Sequence, residues 1–207
     1  MNIHVMDDFL PEEWATTVFD EVVRGKFVFE DYTVDPNIEQ STFHSGSGDI
    51  AKKIHDSAQF VSMYMMNNVL ETGASPFLPY LFAGIFASKT GINTTKFLRC
   101  KANMNIPSLN KDDKSFYAPH IDVPDLCGEE DYVTAIYYLN DSTGDTLFFS
   151  LDESNELQEI KKVSPKRNRI VYFDGSILHA GSPPLSGKRV VLNMNFLATF
   201  KQPKKEV

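Results

Sequence analysis

The sequence has only two cysteines among its 207 residues, which excludes a fold that depends on several disulfides. Cys100 falls in an expected strand and Cys127 in an expected loop. Two thiols in a chain with no export signal are expected to be reduced and to take no part in catalysis. Residues 1–8 have neither the basic start nor the apolar core of a signal peptide, so we expect a cytoplasmic location.

Long apolar runs and an excess of basic residues are also missing. No apolar run reaches the roughly 18 residues that a transmembrane helix requires, so we expect no membrane partner. The formal net charge of −8 at pH 7 disfavours a surface that binds phosphate backbones. The basic cluster at residues 201–205 is explained more simply as a terminal tail than as a nucleic-acid contact. We therefore expect no nucleic-acid partner.

Helical patterns occupy the first part of the sequence. We predict helices over residues 11–23, 49–71 and 77–89 from apolar residues at three- and four-residue steps. Trp14 is expected on the apolar face of the first helix. None of the three helices carries an evident catalytic residue. Residues 8–91 are therefore expected mainly to form a helical support.

Alternating polar and apolar residues replace the helical pattern after Thr94. In residues 96–104, the side chains of Arg99, Lys101 and Asn103 share one face of an expected strand, and the apolar face would pack on the helices. The polar face either lines a site or lies in water, and alternation alone leaves both open.

Five further short strands are expected, with turn residues between them. They fall at residues 131–139, 146–150, 157–163, 169–173 and 189–198. Helices followed by closely spaced strands predict an α+β fold, in which an antiparallel double-sheet jelly roll has a helical buttress. With 42% hydrophobic residues, the chain can bury one such core. We expect a single domain over residues 1–207, with its jelly-roll core at residues 94–199.

Two histidines and one aspartate form the candidate chemical site. His120 and Asp122 are two residues apart, so on a β-strand their side chains leave the same face and can share one ion. His179 follows an expected strand and a tight turn, which would place it at the barrel mouth opposite the first two. Two imidazoles and one carboxylate, with the other side of the ion open, are the facial arrangement of non-haem Fe(II) oxygenases.

Two charged residues near His179 add to this pattern. Arg189 lies in a strand otherwise made largely of apolar residues, where a buried guanidinium is costly unless an anion meets it. An arginine on a solvated edge is the alternative. Asp174 precedes the turn, and it either orients His179 or caps the turn.

Two other classes of function remain open on these residues. Two histidines and one aspartate also form catalytic zinc sites, so a zinc-dependent hydrolase is an alternative. Such an enzyme has no use for Arg189, and no general base is evident beside His120 and Asp122. A non-enzymatic jelly-roll binding module is the other alternative, and in it the histidines would be incidental.

The second half of the sequence resembles the catalytic core of the 2-oxoglutarate- and Fe(II)-dependent dioxygenases, in particular the prolyl-4-hydroxylase-like branch. The resemblance covers residues 94–198 and is carried by His120-x-Asp122, residues 133–140, residues 169–173 before His179, and Arg189. It implies a double-stranded β-helix core of the jelly-roll or cupin type. Similar small oxygenases occur in phages and bacteria, and a phage-encoded chain would act in the host cytoplasm.

The resemblance also implies roles for individual residues. His120, Asp122 and His179 would hold Fe(II). Arg189 would pair in fork geometry with the far carboxylate of 2-oxoglutarate. Tyr138 would donate a hydrogen bond to the same carboxylate.

Four more residues receive roles from their place beside these. Thr134 and Ile136 would lie next to the co-substrate. Asn193 and Asn195 would lie where the family commonly contacts its prime substrate.

The sequence departs from the animal prolyl hydroxylases at one position of the co-substrate pocket. The tyrosine that they carry on the strand before the metal ligands has no match here at the same spacing. Asn103 or Lys101 would replace it. We assign Asn103 to 2-oxoglutarate and Lys101 to the prime substrate.

The implied reaction is the hydroxylation of a C–H bond, with 2-oxoglutarate converted to succinate and CO2. Fe(II), 2-oxoglutarate and O2 are the implied cofactors, with ascorbate as the candidate reductant. Asp122 predicts hydroxylation because halogenating relatives lack this carboxylate. Nucleic-acid demethylating relatives carry a second arginine six residues after the first, and Asn195 stands there instead. Peptidyl proline or another protein side chain is favoured as the substrate, and a small molecule is the alternative. Residues 31–48 and 107–115 are the expected specificity loops.

Overall fold

The computed structural model of the chain describes residues 3–32, 54, 58–108, 115–126 and 132–200. Two α-helices occur in these residues, α1 (Glu12–Arg24) and α2 (Phe77–Thr90). Neither of these helices is long and apolar enough to cross a membrane. The strands in chain order are β1 (His4–Met6), β2 (Val28–Glu30), β3 (Gln59–Met66), β4 (Val69–Leu70), β5 (Ile92–Asn105), β6 (Tyr132–Tyr138), β7 (Thr146–Leu151), β8 (Leu157–Val163), β9 (Arg169–Asp174), β10 (Leu178–Gly181) and β11 (Arg189–Phe200).

The strands form two antiparallel sheets, as the sequence predicts. The larger sheet has the order β1-β9-β6-β11-β5-β3-β2, and β4 pairs with β3 outside this path. The smaller sheet has the order β10-β7-β8. The strands predicted after residue 94 are present except the one through His120, and β10 is an additional strand that the sequence analysis missed. The α+β architecture with a jelly-roll core is thus confirmed.

One face of the larger sheet packs on the helices and forms the largest apolar core. Cys100 and Ala102 of β5 are fully buried there, as is Leu192 of β11. They belong to the same cluster as Phe82 and Phe86 of α2. Burying one large apolar side chain contributes roughly 1.5–3 kcal/mol to the free energy of folding. This face therefore supplies much of the stability that holds the strands in register.

The opposite face of the same sheet is polar and turns toward the smaller sheet. The register between β11 and β5 places Asn193 opposite Lys101 and Asn195 opposite Arg99. Residues directly opposite each other in an antiparallel pair share a face, so these four side chains lie together. The sequence analysis left open whether the polar face of β5 lines a site or faces water. It faces the interior.

α1 begins after Pro11, close to the predicted start. Ala15, Val18 and Val22 are buried, and their spacing gives one apolar stripe. The assignment of Trp14 to that stripe is wrong because its side chain is 44% exposed.

α2 matches its prediction closely. It extends one residue beyond Lys89 and ends at Gly91, which has a φ of 75°. Glycine adopts this left-handed conformation without steric cost. Its N–H donates to the carbonyl of Ala87 at 3.1 Å, which closes the last turn.

The helix predicted over residues 49–71 is wrong for the described part of that range. β3 and β4 occupy it, joined by Asn67 and Asn68, whose φ values are 48° and 66°. Two consecutive residues with positive φ form a tight hairpin turn, and an asparagine pair is a sequence signal for it. Residues 49–53 and 55–57 lie outside the described residues.

A local irregularity interrupts β3, the strand that was mistaken for a helix. The register of β3 against β5 shifts between Met63 and Met65. Val61 and Met65 are four residues apart, as on one face of a helix, but the bulge places Val61 opposite Asn103 on the polar face and Met65 opposite Cys100 on the apolar face. Pairing with β5 therefore determines that these residues form a strand and not a helix.

Candidate active site

Two backbone hydrogen bonds bring His120 and His179 together. The N–H of His120 donates to the carbonyl of His179 at 3.0 Å, and the reverse bond measures 3.1 Å. His179 lies in β10, whereas His120 forms a single bridge outside any regular strand. The predicted strand through His120 is therefore wrong, whereas the bridge does place His179 opposite His120. The two histidines are direct neighbours, with ring centroids 4.8 Å apart.

The side chain of Asp122 completes a three-residue cluster. The candidate ligand atoms of His120, Asp122 and His179 all lie within 4.8 Å of one another. The Nε2 atom of His120 is 3.5 Å from Oδ1 of Asp122, and that of His179 is 3.5 Å from Oδ2. The cluster could hold one metal ion in a facial arrangement.

Backbone carbonyls orient both imidazoles toward this point. Nδ1 of His120 lies 3.0 Å from the carbonyl of Ala118, and Nδ1 of His179 lies 3.1 Å from that of Ile177. A carbonyl oxygen only accepts hydrogen bonds, so each Nδ1 carries a proton and each ring turns its Nε2 toward Asp122. The buried Nε2 of His179 has no hydrogen-bond partner among the described residues. Two ring nitrogens and a carboxylate that converge on one point form a donor set that fits Fe(II).

Asp122 receives hydrogen bonds from three side chains on the polar face of the larger sheet. Nη2 of Arg99 donates to Oδ1 at 2.5 Å, and the Nδ2 atoms of Asn195 and Asn193 donate to Oδ2 at 2.9 and 3.2 Å. Burial by itself would raise the pKa of Asp122, but the charge of Arg99 and contacts with the histidines hold that pKa well below its usual value. The carboxylate is therefore ionised and fixed in orientation.

Arg189 is buried at a distance from this cluster and is 5% exposed. Its Nε donates to the carbonyl of Gly144 at 2.9 Å, and its Nη2 donates to Oγ1 of Thr146 at 2.9 Å. No carboxylate forms an ion pair with it among the residues that the structure describes. Burial lowers the pKa of Arg189, yet a guanidinium remains charged in proteins. A buried cation with neutral partners favours an anionic ligand.

One open cleft connects Arg189 with the three-residue cluster. Among the further residues predicted for the site, Asn103, Lys101, Asn193 and Ile136 line this cleft. The structure thus brings them together with the candidate metal ligands.

Three predicted residues lie behind the cleft wall. The hydroxyl of Tyr138 donates to Oγ1 of Thr146 at 2.7 Å, and its ring lies 5.7 Å from the guanidinium carbon of Arg189. Nδ2 of Asn195 donates to Oγ1 of Thr134 at 2.9 Å. These residues brace Asp122 and Arg189 from behind, which differs from the direct ligand contacts that the resemblance implies.

Several site residues were missed by the sequence analysis. Asn105 continues the alternation of β5 by one step beyond Asn103, so a longer strand prediction would have found it. Gln59 falls in the range that was mistaken for a helix. Thr146 and Tyr117 also line the cleft, and no local pattern marks them.

Gly144 lies close to Arg189 for a steric reason. A Cβ atom at this position would stand 2.5 Å from the carbonyl oxygen of Ser182 and 3.0 Å from Cδ of Arg189. Only glycine lets the backbone at this position approach Arg189 closely enough for its carbonyl to accept the hydrogen bond from Nε.

The two alternatives for Asp174 are resolved by its contacts. Its Oδ1 accepts hydrogen bonds from the backbone N–H of Ser176 at 2.9 Å and from the hydroxyl of the same residue. The Nδ1 of His179 is held by the carbonyl of Ile177 instead. Asp174 thus caps the turn and does not orient His179.

Comparison with known proteins places this site in a family context. Residues 106–197 match the family model described as the 2OG-Fe(II) oxygenase superfamily. This range contains the whole histidine and aspartate cluster and Arg189. No curated protein matches the chain in sequence.

Solved structures with the same fold have little sequence identity to the chain. An oxidoreductase of the 2OG-Fe(II) oxygenase family from Burkholderia pseudomallei has a TM-score of 0.62 at 10% identity, over 94% of this chain and 84% of its own. The epimerase SnoN, in complex with Fe3+, alpha ketoglutarate and nogalamycin RO, has 0.58 at 11% identity, over 99% and 87%. A prolyl hydroxylase from Trichoplax adhaerens, in complex with a hypoxia inducible factor peptide, has 0.57 at 17% identity, over 94% and 83%. The predicted resemblance is confirmed.

Proposed function

Residues 106–197 belong to the 2OG-Fe(II) oxygenase superfamily, and from this premise we propose that the protein hydroxylates a C–H bond of its prime substrate. Fe(II), 2-oxoglutarate and O2 are the cofactors of that superfamily, and the chain is an oxidoreductase of this kind. The proposal rests on one observation. A single cleft has three candidate metal ligands at one end and the buried Arg189 at the other, which suits the two ends of a keto acid that binds a metal ion.

His120, Asp122 and His179 are the residues that would hold the iron. Their Nδ1 contacts with backbone carbonyls keep both rings in the tautomer that binds metal. Fe(II) held there would supply the redox chemistry that couples the oxidative decarboxylation of 2-oxoglutarate by O2 to the hydroxylation of a C–H bond. The carboxylate of Asp122 favours hydroxylation because it occupies the place that a halide would need.

Arg189 would bind the far carboxylate of 2-oxoglutarate. Its hydrogen bonds to Gly144 and Thr146 hold the guanidinium plane in position. The remaining donor edge, on Nη1, has a single long contact of 3.5 Å with Oδ1 of Asn105. Charge-assisted hydrogen bonds to a carboxylate would satisfy these donors better than the present neutral partner.

Family resemblance alone suggests a residue of a protein or peptide chain, proline above all, as the hydroxylated group, before the chemistry of the cleft wall is considered. The prolyl-4-hydroxylase-like branch supports this choice. The similarity to an epimerase with a small-molecule ligand supports a small molecule as the alternative substrate. We further propose that the protein acts as a single domain in the cytoplasm. The net charge of −8 supports the expectation that nucleic acids are not its substrate.

The primary test measures 2-oxoglutarate turnover. We expect the protein loaded with Fe(II) and ascorbate to form succinate from 2-oxoglutarate slowly without a prime substrate, and only when O2 is present. His179→Ala should remove this turnover, whereas His4→Ala, at an exposed position, should preserve it. An iron-loaded wild-type protein that neither binds nor consumes 2-oxoglutarate would exclude the proposal. Hydrolytic activity with Zn2+ and no need for O2 would favour the hydrolase instead.

A further inference from the structure

The charges that line the cleft do not balance, even when the expected cofactors are included. Lys101 and Arg189 contribute two positive charges, and Asp122 contributes one negative charge. A divalent metal ion and the 2-oxoglutarate dianion cancel each other. Arg99 adds a further positive charge behind Asp122, at 2.5 Å. The assembled site therefore retains two positive charges that neither the described side chains of the cleft nor the cofactors neutralise.

Lys101 carries one of these unbalanced charges. Its side chain is partly buried in the cleft wall and makes no hydrogen bond or ion pair with the described residues. Burial lowers the pKa of Lys101 to about 8, with Arg99 acting in the same direction. Asp122 and Glu30 both raise this pKa, but Asp122 is paired with Arg99, and the exposed side chain of Glu30 accepts a hydrogen bond from Nε2 of Gln59 at 3.2 Å. A buried ammonium without a partner reduces stability unless a ligand satisfies it.

The position of Lys101 along its strand separates it from the co-substrate end of the cleft. Asn105 lies opposite Arg189 in the register of β5 and β11, and Lys101 lies opposite Asn193. Four residues of strand place these two levels roughly 13 Å apart. Since Asn193 donates to Asp122, Lys101 stands at the level of the candidate metal ligands, where a prime substrate must lie.

An unsatisfied acceptor lies opposite this unsatisfied donor. Asn193 directs its Nδ2 at Asp122, and because a carboxylate only accepts, this fixes which way the amide points. Its Oδ1 is buried and has no hydrogen-bond partner among the described residues, and the same is true of Oδ1 of Asn103. The cleft beside the metal ligands thus offers one cationic donor and two neutral acceptors.

We propose that the prime substrate is a small carboxylic acid that also carries a hydrogen-bond donor, with the chemistry of a free α-amino acid, and that Lys101 binds its carboxylate. This inference rests on the proposed oxygenase function and names its substrate class. The donor of the substrate, an amine or a hydroxyl, satisfies Oδ1 of Asn193 and of Asn103. An internal prolyl residue of a peptide has neither a carboxylate nor an N–H, so it leaves all three groups unpaired.

Binding to a non-reacting form of the protein tests the substrate class directly. The protein is loaded with Zn2+ and 2-oxoglutarate, and the twenty free amino acids are titrated by calorimetry against their N-acetyl carboxamides. We expect at least one free acid to bind, at least tenfold more tightly than its neutral derivative. The same acid should stimulate succinate formation by the Fe(II) protein and should gain one oxygen atom by mass spectrometry. Equal binding of acid and carboxamide would overturn the proposal, as would stimulation by internal prolyl peptides alone.

Substitution of Lys101 tests the assigned residue. Lys101→Met keeps the length of the side chain without its charge, and we expect it to weaken binding of the acid at least tenfold. Binding of the carboxamide should change less than twofold. Lys96→Met, at an exposed position of the same strand, is the matched control and should leave both affinities unchanged. If Lys101→Met weakens 2-oxoglutarate by the same factor as the acid, Lys101 serves the co-substrate and the proposal is wrong.

Two further readouts keep this test decisive. Lys101→Met should melt at or above the temperature of the wild type because it removes an unpaired buried charge. A lower melting temperature would show that Lys101 has a structural partner, which contradicts the proposal. Failure of the oxygenase function looks different, because the wild type would then bind no 2-oxoglutarate and form no succinate.

Discussion

The two faces of the larger sheet differ more in chemistry than in burial. Neighbouring residues of β11 show this, because one contacts the apolar core and the next faces the polar cleft. Leu192 is fully buried among the apolar side chains of the helical support, whereas Asn193 is 5% exposed and faces the cleft. The apolar face gains free energy from each side chain that it buries. The polar face loses the hydration of its amides and charges and recovers only part of that loss through hydrogen bonds.

This difference shows which residues the fold needs and which the site needs. The polar face keeps Arg99, Lys101 and Asn103 in the interior although apolar residues there would be more stable. Its groups are arranged around Asp122 and the cleft, so we interpret their stability cost as a requirement of ligand binding. Substitutions on the two faces should therefore separate stability from binding, and four predictions test this separation.

The largest effect is expected on the polar face at Asp122. Asp122→Ala should lower metal affinity by more than about 100-fold and abolish turnover, because one of three ligands is lost. The change also leaves Arg99 without its counter-ion, which costs about 3–5 kcal/mol for a buried pair. Metal content by atomic absorption and urea unfolding measure the two effects.

Two companion variants make the Asp122 result interpretable. Asp122→Asn still accepts a hydrogen bond from Arg99, so it should lose metal with a smaller loss of stability. Asp125→Ala, at an exposed position nearby, should change neither quantity. Retention of iron and turnover by Asp122→Ala would show that the ligand assignment is wrong.

On the apolar face, Leu192→Ala should act on stability alone. A fully buried leucine replaced by alanine leaves a cavity, which lowers the free energy of unfolding by about 2–5 kcal/mol. The affinity of the folded protein for 2-oxoglutarate should remain that of the wild type. Urea unfolding and calorimetric titration check the pair of expectations, with Leu185→Ala, 52% exposed, as the control. A changed 2-oxoglutarate affinity would mean that the two faces are coupled.

Arg189→Lys should produce the converse result, a loss of binding with the fold retained. A lysine keeps the charge but loses the planar fork and the Nε contact with Gly144. Loss of a hydrogen bond to a charged group costs about 1.5–3 kcal/mol, so the Kd of 2-oxoglutarate should rise about tenfold or more. Calorimetric titration measures it, and Arg24→Lys at an exposed site is the control. An unchanged Kd would remove Arg189 from the co-substrate pocket.

The smallest effect is expected outside both faces, where Asp7 pairs with Arg169 of β9. The hydrogen bond from Arg169 lowers the pKa of Asp7 to about 2, with Lys166 acting in the same direction. A folded-state pKa below the unfolded value stabilises the fold above about pH 4, and this contribution disappears as the pH falls toward 2. Asp7→Asn should therefore destabilise by at most about 1 kcal/mol at pH 7, since the pair is partly exposed.

Urea unfolding of wild type and Asp7→Asn at several pH values between 7 and 3 tests the sign. The difference between the two proteins should shrink as the pH falls. A difference that grows toward acid pH would mean that Asp7 is not stabilised as a carboxylate.

Sequence patterns predicted the elements whose signals are local. α2 was recognised from its spacing and from Gly91, because a left-handed residue after a helix is a local conformational requirement. The alternation in β5 correctly separated Arg99, Lys101 and Asn103 from the apolar face. β3 was missed because its apolar residues follow three- and four-residue steps and because its stability comes from pairing with β5.

The sequence by itself determined which residue types could carry the chemistry, namely two histidines, one aspartate and a lone arginine in an apolar strand. Their side-chain chemistry and short-range spacing are local properties, and these are readable from the chain. Only the tertiary structure decided that His120 and His179 are bridged neighbours, that Arg99 holds Asp122, and that Thr146 and Gly144 hold Arg189. These contacts join residues that are distant in the chain, and they depend on strand register, which the packing of the whole core sets.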